Sequence, residues 1–390
     1  MKKYIFLFLW GISVCHSKAQ GQDTSQWPTR IQISLLTCDA SWDIYTLWGH
    51  TAIRVVDSAQ GTDIVFNYGT FNFNEPNFIA QFVKGDLLYF VSVNNYSDFL
   101  NEYQIEKRNV YEQVLNLNNT EKIKWYTALQ LNMLGSNRFY LYNFISNNCT
   151  TRIKDGLFKN TPFQPSSLPV TSYRTSIVSA PYNHQLPWIG LGIDLLLGAY
   201  SDQKPSDFQA GFLPFLFHQQ VANTKGLVVK ENVFKFSDAS PASNNTPLST
   251  LLVILILYAF CSRFNSLITQ KITKIVDVLL LVSLGVGGSL MFYMSFISKH
   301  TACYQNYNLM WIHPFYLIAL IFYFIPNKII GHMGLLFLAS IVALIITSYW
   351  LPQHFSLEVA TMGSIALLLN YRLVQKGRLQ ALFADRKSTR

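Results

Sequence analysis

From residue 248 onward the chain is a succession of apolar stretches of similar length, and a chain built this way folds across a bilayer. Five stretches follow one another, near 248–264, 275–298, 309–325, 328–350 and 357–373. Each is close to the ~20 residues a helix needs to cross the hydrocarbon core. They lie back to back with almost no charge inside them, unlike the buried helices of a soluble domain. An all-α bundle of five transmembrane helices is therefore expected. Composition agrees: half of the 390 residues are hydrophobic and only 13% are charged, against roughly 25% in a soluble domain.

The loops between the stretches set an orientation. Arg263, Lys271 and Lys274 lie between the first and second, and Lys328 between the third and fourth. Arg372, Lys376, Arg378, Arg386, Lys387 and Arg390 lie at or beyond the end of the fifth. The alternate loops carry Lys299 in one and no Lys or Arg in the other. Basic loops stay in the cytoplasm. The C-terminus, with the basic tail 374–390, is thus expected there, and five spans put residues 20–247 outside. Residues 1–19 point the same way: Lys2-Lys3, an apolar run from Tyr4 to Val14, and Ser17-Lys18-Ala19 make an export signal. Cys15 would be a lipidation site only after a small residue, and Val14 is not one.

The net charge of +9 invites a nucleic-acid reading, which its distribution removes. Residues 20–247 hold 16 Lys and Arg against 18 Asp and Glu, a net of −2. Residues 248–390 hold 11 against 3, a net of +8, and Lys2, Lys3 and Lys18 supply the rest. The basic excess sits where membrane topology wants it, so no nucleic-acid partner is expected.

The exported part reads as α+β. Ile31 to Thr37, His50 to Val56, Asp63 to Asn67 and Asp86 to Val93 alternate or run in β-branched and aromatic residues. Asp57 to Gly61 makes a hairpin loop. Residues 119–134 turn to helical spacing, with Asn119 or Thr120 as the cap. A second helix begins at Asn148-Cys149 and runs to about Phe158. Residues 160–250, rich in Pro, Ser, Asn and Gln, give only short apolar islands.

Two segments carry chemistry. In Trp48-Gly49-His50-Thr51 a histidine opens a strand, and in Asn147-Asn148-Cys149-Thr150 a cysteine opens a helix. A thiol there feels the positive end of the helix dipole and the free amides of the first turn, which favour the thiolate. A nearby imidazole lowers the thiol pKa further and returns a proton to a leaving group. Either residue alone is more often structural; their pairing makes Cys149 a candidate nucleophile and His50 its base.

The order strand-His, polar residue on the next strand, helix-Cys resembles circularly permuted papain-like folds of the NlpC/P60 superfamily, including the lecithin:retinol acyltransferase (LRAT) group. More closely, the chain resembles the Bacteroides-type lipoprotein N-acyltransferases (Lnb), with an exported domain and five helices. Trp48 to Arg54, Phe66-Asn67-Tyr68-Gly69, Asn147 to Thr150, Tyr173-Arg174 and Gly192 to Gly198 with Asp202 and Phe212-Leu213-Pro214 carry the resemblance. It implies an acyltransferase without a cofactor, in a bacterial inner membrane with its N-terminal domain in the periplasm. The acyl donor would be a glycerophospholipid and the acceptor a diacylated lipoprotein. It implies Cys149 as nucleophile and His50 as base. Asn67 is the candidate orienter of His50, with Asp43 and Asp63 as rivals. A peptidase or amidase acting on cell-wall peptides is the alternative.

Substrate-binding candidates are Trp48, Tyr68, Arg174 and Asp194. Asp194 lies in leucine-rich sequence and needs a partner. Arg174 is its mate on charge, in a structural pair, unless Arg174 holds a lipid phosphate. Cys38 and Cys303 would both lie outside, as a disulfide or as free thiols. His184 and His218 are isolated, without metal-ligand spacing. His313-Pro314 would mark a kink in the third stretch, or a polar function in the bilayer.

Overall fold

The computed structural model describes residues 30–183, 186–236, 246–264, 266–325 and 328–388. The export signal, Cys15 and His184 lie outside them. The chain runs β1 (Ile31–Cys38), β2 (His50–Asp57), β3 (Thr62–Thr70), α1 (Phe78–Lys84), β4 (Leu88–Asn95), α2 (Tyr96–Ile105), β5 (Val110–Leu115), α3 (Asn119–Asn132), β6 (Phe139–Leu141), α4 (Cys149–Asn160), α5 (Tyr173–Asn183), α6 (Pro187–Leu196), α7 (Asp207–Ala210), α8 (Pro214–Asn223) and β7 (Val228–Phe234). The helices α9 (Pro247–Arg263), α10 (Leu267–Phe296), α11 (Phe315–Phe324), α12 (Ile329–Thr347) and α13 (Leu357–Ser388) follow.

The seven strands form one antiparallel sheet in the order β6-β4-β3-β2-β1-β5-β7. Both faces of its centre are covered. Ile31, Ile33 and Leu35 point to one face, where Ile53, Phe66, Trp125 of α3 and Ile153 and Leu157 of α4 close the larger core. Leu36 and Cys38 point to the other, against Phe99 and Tyr103 of α2. Each fully buried Ile or Leu contributes about 1.5–3 kcal/mol, so this two-sided packing fixes the register: slipping one residue would exchange the faces. The cap of α3 is Asn118, one residue before the expected Asn119 or Thr120. Its side chain accepts from the Glu121 amide while Glu121 reaches back, a reciprocal box neither neighbour can make.

The membrane part differs in detail from the expected five spans. Among the described residues, four helical segments are long and apolar enough to cross: Leu267–Phe296, Tyr307–Phe324, Ile329–Thr347 and Leu357–Leu379. The first apolar helix, α9, has 17 residues, about 25 Å at 1.5 Å per residue. The third is broken. A 3-10 turn at Tyr307–Met310 precedes α11, and Pro314 stands at the N-cap of α11. The expected kink is therefore a helix start, the place where proline's missing N–H leaves no bond unmade. A side chain at Gly288 of α10 would lie 2.3 Å from the His313 carbonyl carbon, so the bare glycine admits this break against the helix. The last helix continues to Ser388 and carries the basic tail in helical form.

Asp277 ties the bundle together. Its carboxylate accepts from Tyr258 of α9 (2.6 Å), Tyr323 of α11 (2.9 Å) and Arg372 of α13 (2.9 Å twice). A charge in this apolar setting is tolerable only with such partners.

The two parts are clasped by backbone. Gly198 N–H donates to Ala302, and Ala199 N–H to Gln305. Asn306 Nδ2 donates to the Leu195 and Leu196 carbonyls. The loop between α10 and α11 thus completes the end of α6.

Candidate active site

Asn148 caps α4. Its Oδ1 accepts from the Thr151 amide at 2.9 Å, and Thr151 Oγ1 accepts from the Asn148 amide at 2.8 Å. Asn148 Nδ2 donates to the Phe144 and Phe212 carbonyls, so the cap is also fixed to the core. Cys149 is the first residue of the helix. Thr150, Ile153, Lys154 and Leu157 form the buried stripe behind it, which leaves the thiol half-buried at the start of the helix.

His50 opens β2. Gly49 before it has φ +78°, and a side chain there would lie 2.4 Å from the Cys38 carbonyl oxygen. Only glycine makes this turn onto the strand without strain. Asn67 pairs across from Ala52. His50 lies two residues from Ala52, so it shares a face with Asn67 as its diagonal neighbour. The register thus makes the contact: His50 Nε2 lies 3.2 Å from Asn67 Oδ1. Asn67 Nδ2 donates to Asn94 Oδ1 at 3.1 Å, which turns the amide oxygen toward the imidazole. With Nε2–H held there, Nδ1 is the nitrogen free to accept the thiol proton.

Burial pushes the Cys149 thiol up, but its polar neighbours together outweigh it. The imidazolium charge, a hydrogen bond from His50, the Thr51 backbone N–H and the Thr150 hydroxyl together hold the thiol below its ordinary pKa. Cys38 and Cys303 behave differently. Burial raises each to about 12, and both are free. The Cys38–Cys303 disulfide is therefore not formed. Cys38 is pinned inside the core beside His50 in the register, where Tyr103 and Arg108 surround it.

The rivals for the third place are engaged elsewhere. Asp63 pairs with Arg54 at 2.8 and 2.6 Å. Asp43 accepts from Tyr45 at 3.2 Å. The candidate substrate residues divide. Trp48 Nε1 donates to the Ile177 carbonyl at 2.9 Å and its ring packs edge-on against Phe144. Tyr68 is buried in the larger core and accepts from Asn132 at 2.8 Å. Arg174 is fully spent. It meets Asp194 at 2.6 Å and Asp202 at 2.9 Å, and donates to the Asp194, Leu197 and Gly198 carbonyls. This is the structural pairing, and it leaves the guanidinium nothing for a lipid phosphate. His218 pairs with Glu231 at 3.0 Å.

Sequence reading missed Asn94 and the Thr51–Thr150 contact of 2.9 Å. A strand asparagine and two threonines carry no signal until register and helix docking bring them together.

Two family models match the chain. The Lnb N-terminal periplasmic domain matches residues 21–178, and the Lnb transmembrane domain matches residues 239–377. No curated protein and no solved structure matches it.

Proposed function

The chain belongs to the Lnb family, and from that premise we propose that it is a lipoprotein N-acyltransferase working through a Cys149 thioester. The observation that carries the reading is the Cys149 thiol, lowered against its own burial by His50, with Asn67 behind the imidazole. His50 takes the Cys149 proton, and the thiolate attacks an ester carbonyl of a glycerophospholipid. The first-turn amide of Cys149, with no intrahelical acceptor, donates to the oxyanion. The C–O bond breaks, His50 protonates the departing alkoxide, and a lysophospholipid leaves. The α-amino group of a diacylglyceryl-cysteine lipoprotein then attacks the thioester. The C–S bond breaks and the amine proton returns through His50 to sulfur. The product is a triacylated lipoprotein with an N-terminal amide.

The reading places residues 20–247 in the periplasm as the catalytic domain, after removal of 1–19. It takes 248–373 as five spans, with α9 as the short first one, and the end of α13 in the cytoplasm. An odd number of crossings is what the basic loops ask for. A domain clasped to helices works at the bilayer surface, where a phospholipid and a lipoprotein both reside.

The test replaces Cys149 by Ala in cells that depend on the protein and weighs the N-terminal peptides of their lipoproteins. A loss of triacyl in favour of diacyl species is expected. Unchanged lipoproteins with altered wall peptides would turn the assignment to a peptidase or amidase. No change in either would leave the pair without a catalytic part.

A further inference from the structure

A groove outside the Cys-His site joins the exported domain to the membrane. Short α1 lies along the outer end of α10. His300 and Phe82 are joined through the Phe82 carbonyl at 2.8 Å, and the Lys299 amide donates to the Lys84 carbonyl at 2.9 Å. Between the two helices opens a cavity of about 790 Å³, lined by Phe73, Phe78, Ile79, Val83, Leu290 and Tyr293 among others, and far more apolar than polar. Ile79 is 75% exposed, Phe73 60% and Leu290 45%. Phe73 and Ile79 lie outside the spanning helices, and a water-facing surface does not leave such side chains together without a use. Leu290 lies six residues before the end of α10, about 9 Å along the helix. The groove is therefore at the depth of the outer ends of acyl chains.

Two further observations say what fills it. The first is a line of rings from the groove to the thiol. Phe73 and Phe78 meet Phe71 at 4.7 and 5.8 Å, Phe71 meets Tyr89 at 5.2 Å, and Tyr89 stacks on Tyr142 at 4.5 Å. Tyr142 is close enough to Cys149 to feel the charge of its thiolate. Phe78, Phe71, Tyr142 and Cys149 all lie on the rim of the larger core, partly open. The second is charge at the groove's edge. Lys84 and Lys299 share the single carboxylate of Asp86, both more than half exposed. One positive charge is left over beside Tyr293.

We propose that this groove binds one acyl chain of a membrane glycerophospholipid, with Lys84 and Lys299 at its phosphate, and delivers the ester along the Phe71–Tyr89–Tyr142 rings to Cys149. The inference rests on Cys149 as the acyl acceptor of the proposed function. The leftover positive charge favours a phospholipid over the diacylglyceryl group of a lipoprotein, which has no phosphate.

The full chain is placed in phosphatidylethanolamine nanodiscs doped with phosphatidylethanolamine carrying a diazirine midway along one acyl chain. After illumination, adducts are expected on 73–83 and 290–293, several-fold above those on the exposed Leu335-Leu336 face of α12. Equal labelling of both would overturn the proposal. Ala80→Trp, which fills the groove, is expected to slow acyl-Cys149 formation by about tenfold or more and to leave iodoacetamide alkylation of Cys149 unchanged. Unslowed acylation would overturn it, as would equal competition from diacylglycerol, which points to the lipoprotein instead. Cys149→Ala separates the two readings. If the groove labels in that variant but the native chain never forms an acyl-thioester, the groove stands and the acyltransferase mechanism falls.

Discussion

One residue past His50 and one residue past Cys149, the hydroxyls of Thr51 and Thr150 meet at 2.9 Å, fully buried. This contact joins β2 to the first turn of α4, and the Thr51 amide adds a hydrogen bond to the sulfur. Strand and helix are thereby locked beside the two reacting groups. Replacing Thr150 by Val keeps the shape but leaves the Thr51 hydroxyl unpaired, a cost of about 1–3 kcal/mol. Thermal melting in detergent is expected to fall accordingly. Cys149 alkylation is expected to slow with it, because the thiol loses the Thr150 hydroxyl as well. Melting that falls with no change in alkylation would separate the lock from the thiol.

The pH dependence of alkylation follows from which influences act on Cys149. Burial raises the thiol, and His50 together with the Thr51 amide and the Thr150 hydroxyl more than reverses it. The thiolate should therefore appear at a midpoint below the ordinary thiol value of about 8.5. In His50→Ala the burial remains and its largest counterweight is gone, so the midpoint moves up. The linkage has the same sign. The pair's stabilisation is full above the unfolded thiol's pKa and is lost as pH falls through the lowered, folded one. Iodoacetamide rates across pH, read by mass spectrometry, check both. Identical midpoints in the two chains would remove His50 from the thiol's surroundings.

The parts legible in sequence were those set by local pattern. His50, Cys149 and the four leading strands show in alternation and helix-start chemistry, and each lies within a few residues of its expected place. The Asn67 contact was half legible: its strand shows, but its diagonal relation to His50 needs the register. Residues 160–250 hid four helices and β7 because their helices are short and their cores are shared with distant partners. Gly198, for example, has the Tyr304 carbonyl against its α-carbon, a constraint imposed from over a hundred residues away. In the third stretch His313-Pro314 marked an interruption, but did not show that a 3-10 turn at Tyr307–Met310 would precede it and Pro314 would cap a new helix.

Asn67 is expected to act through His50 and not on substrate. Asn67→Ala frees the imidazole to rotate and removes the acceptor that holds Nε2–H. A loss in kcat of about 10–100-fold with little change in KM is expected. Asn67→Asp keeps an acceptor for Nε2–H, so it should retain more activity than Asn67→Ala. A KM effect without a kcat effect would make Asn67 a substrate contact instead.

Arg174 is expected to behave as a joint. Its carboxylate partner Asp194 also accepts from Ser356, just before α13, at 2.9 Å. One ion cluster thus spans exported domain and membrane helix. Arg174→Ala strands two carboxylates of which Asp194 is almost wholly buried, a loss of about 3–5 kcal/mol. Arg174→Lys should recover little, since one ammonium cannot replace a fork that reaches two carboxylates and three carbonyls. Thermal melting and proteolysis between the two parts give the readout. Unchanged stability with weaker phospholipid saturation would return Arg174 to the substrate.

Lys154 supplies a prediction about stability alone. It lies on the buried stripe of α4, with its ammonium against the Phe208 carbonyl and ring. Burial lowers its pKa from 10.5 to about 8. Below pH 8 both folded and unfolded chains hold the proton, and the folded state carries the whole burden, about 3 kcal/mol. Between 8 and 10.5 the unfolded chain holds more protons, so stability rises with pH across that window. Lys154→Met removes the charge and leaves the Phe208 carbonyl without its donor, a cost of about 1 kcal/mol. The variant should thus melt higher than the native chain at pH 7, by the equivalent of about 2 kcal/mol, and show no rise between 8 and 10.5. A lower melting point at pH 7 would mean that Lys154 holds α4 to the Phe208 turn more strongly than burial opposes it.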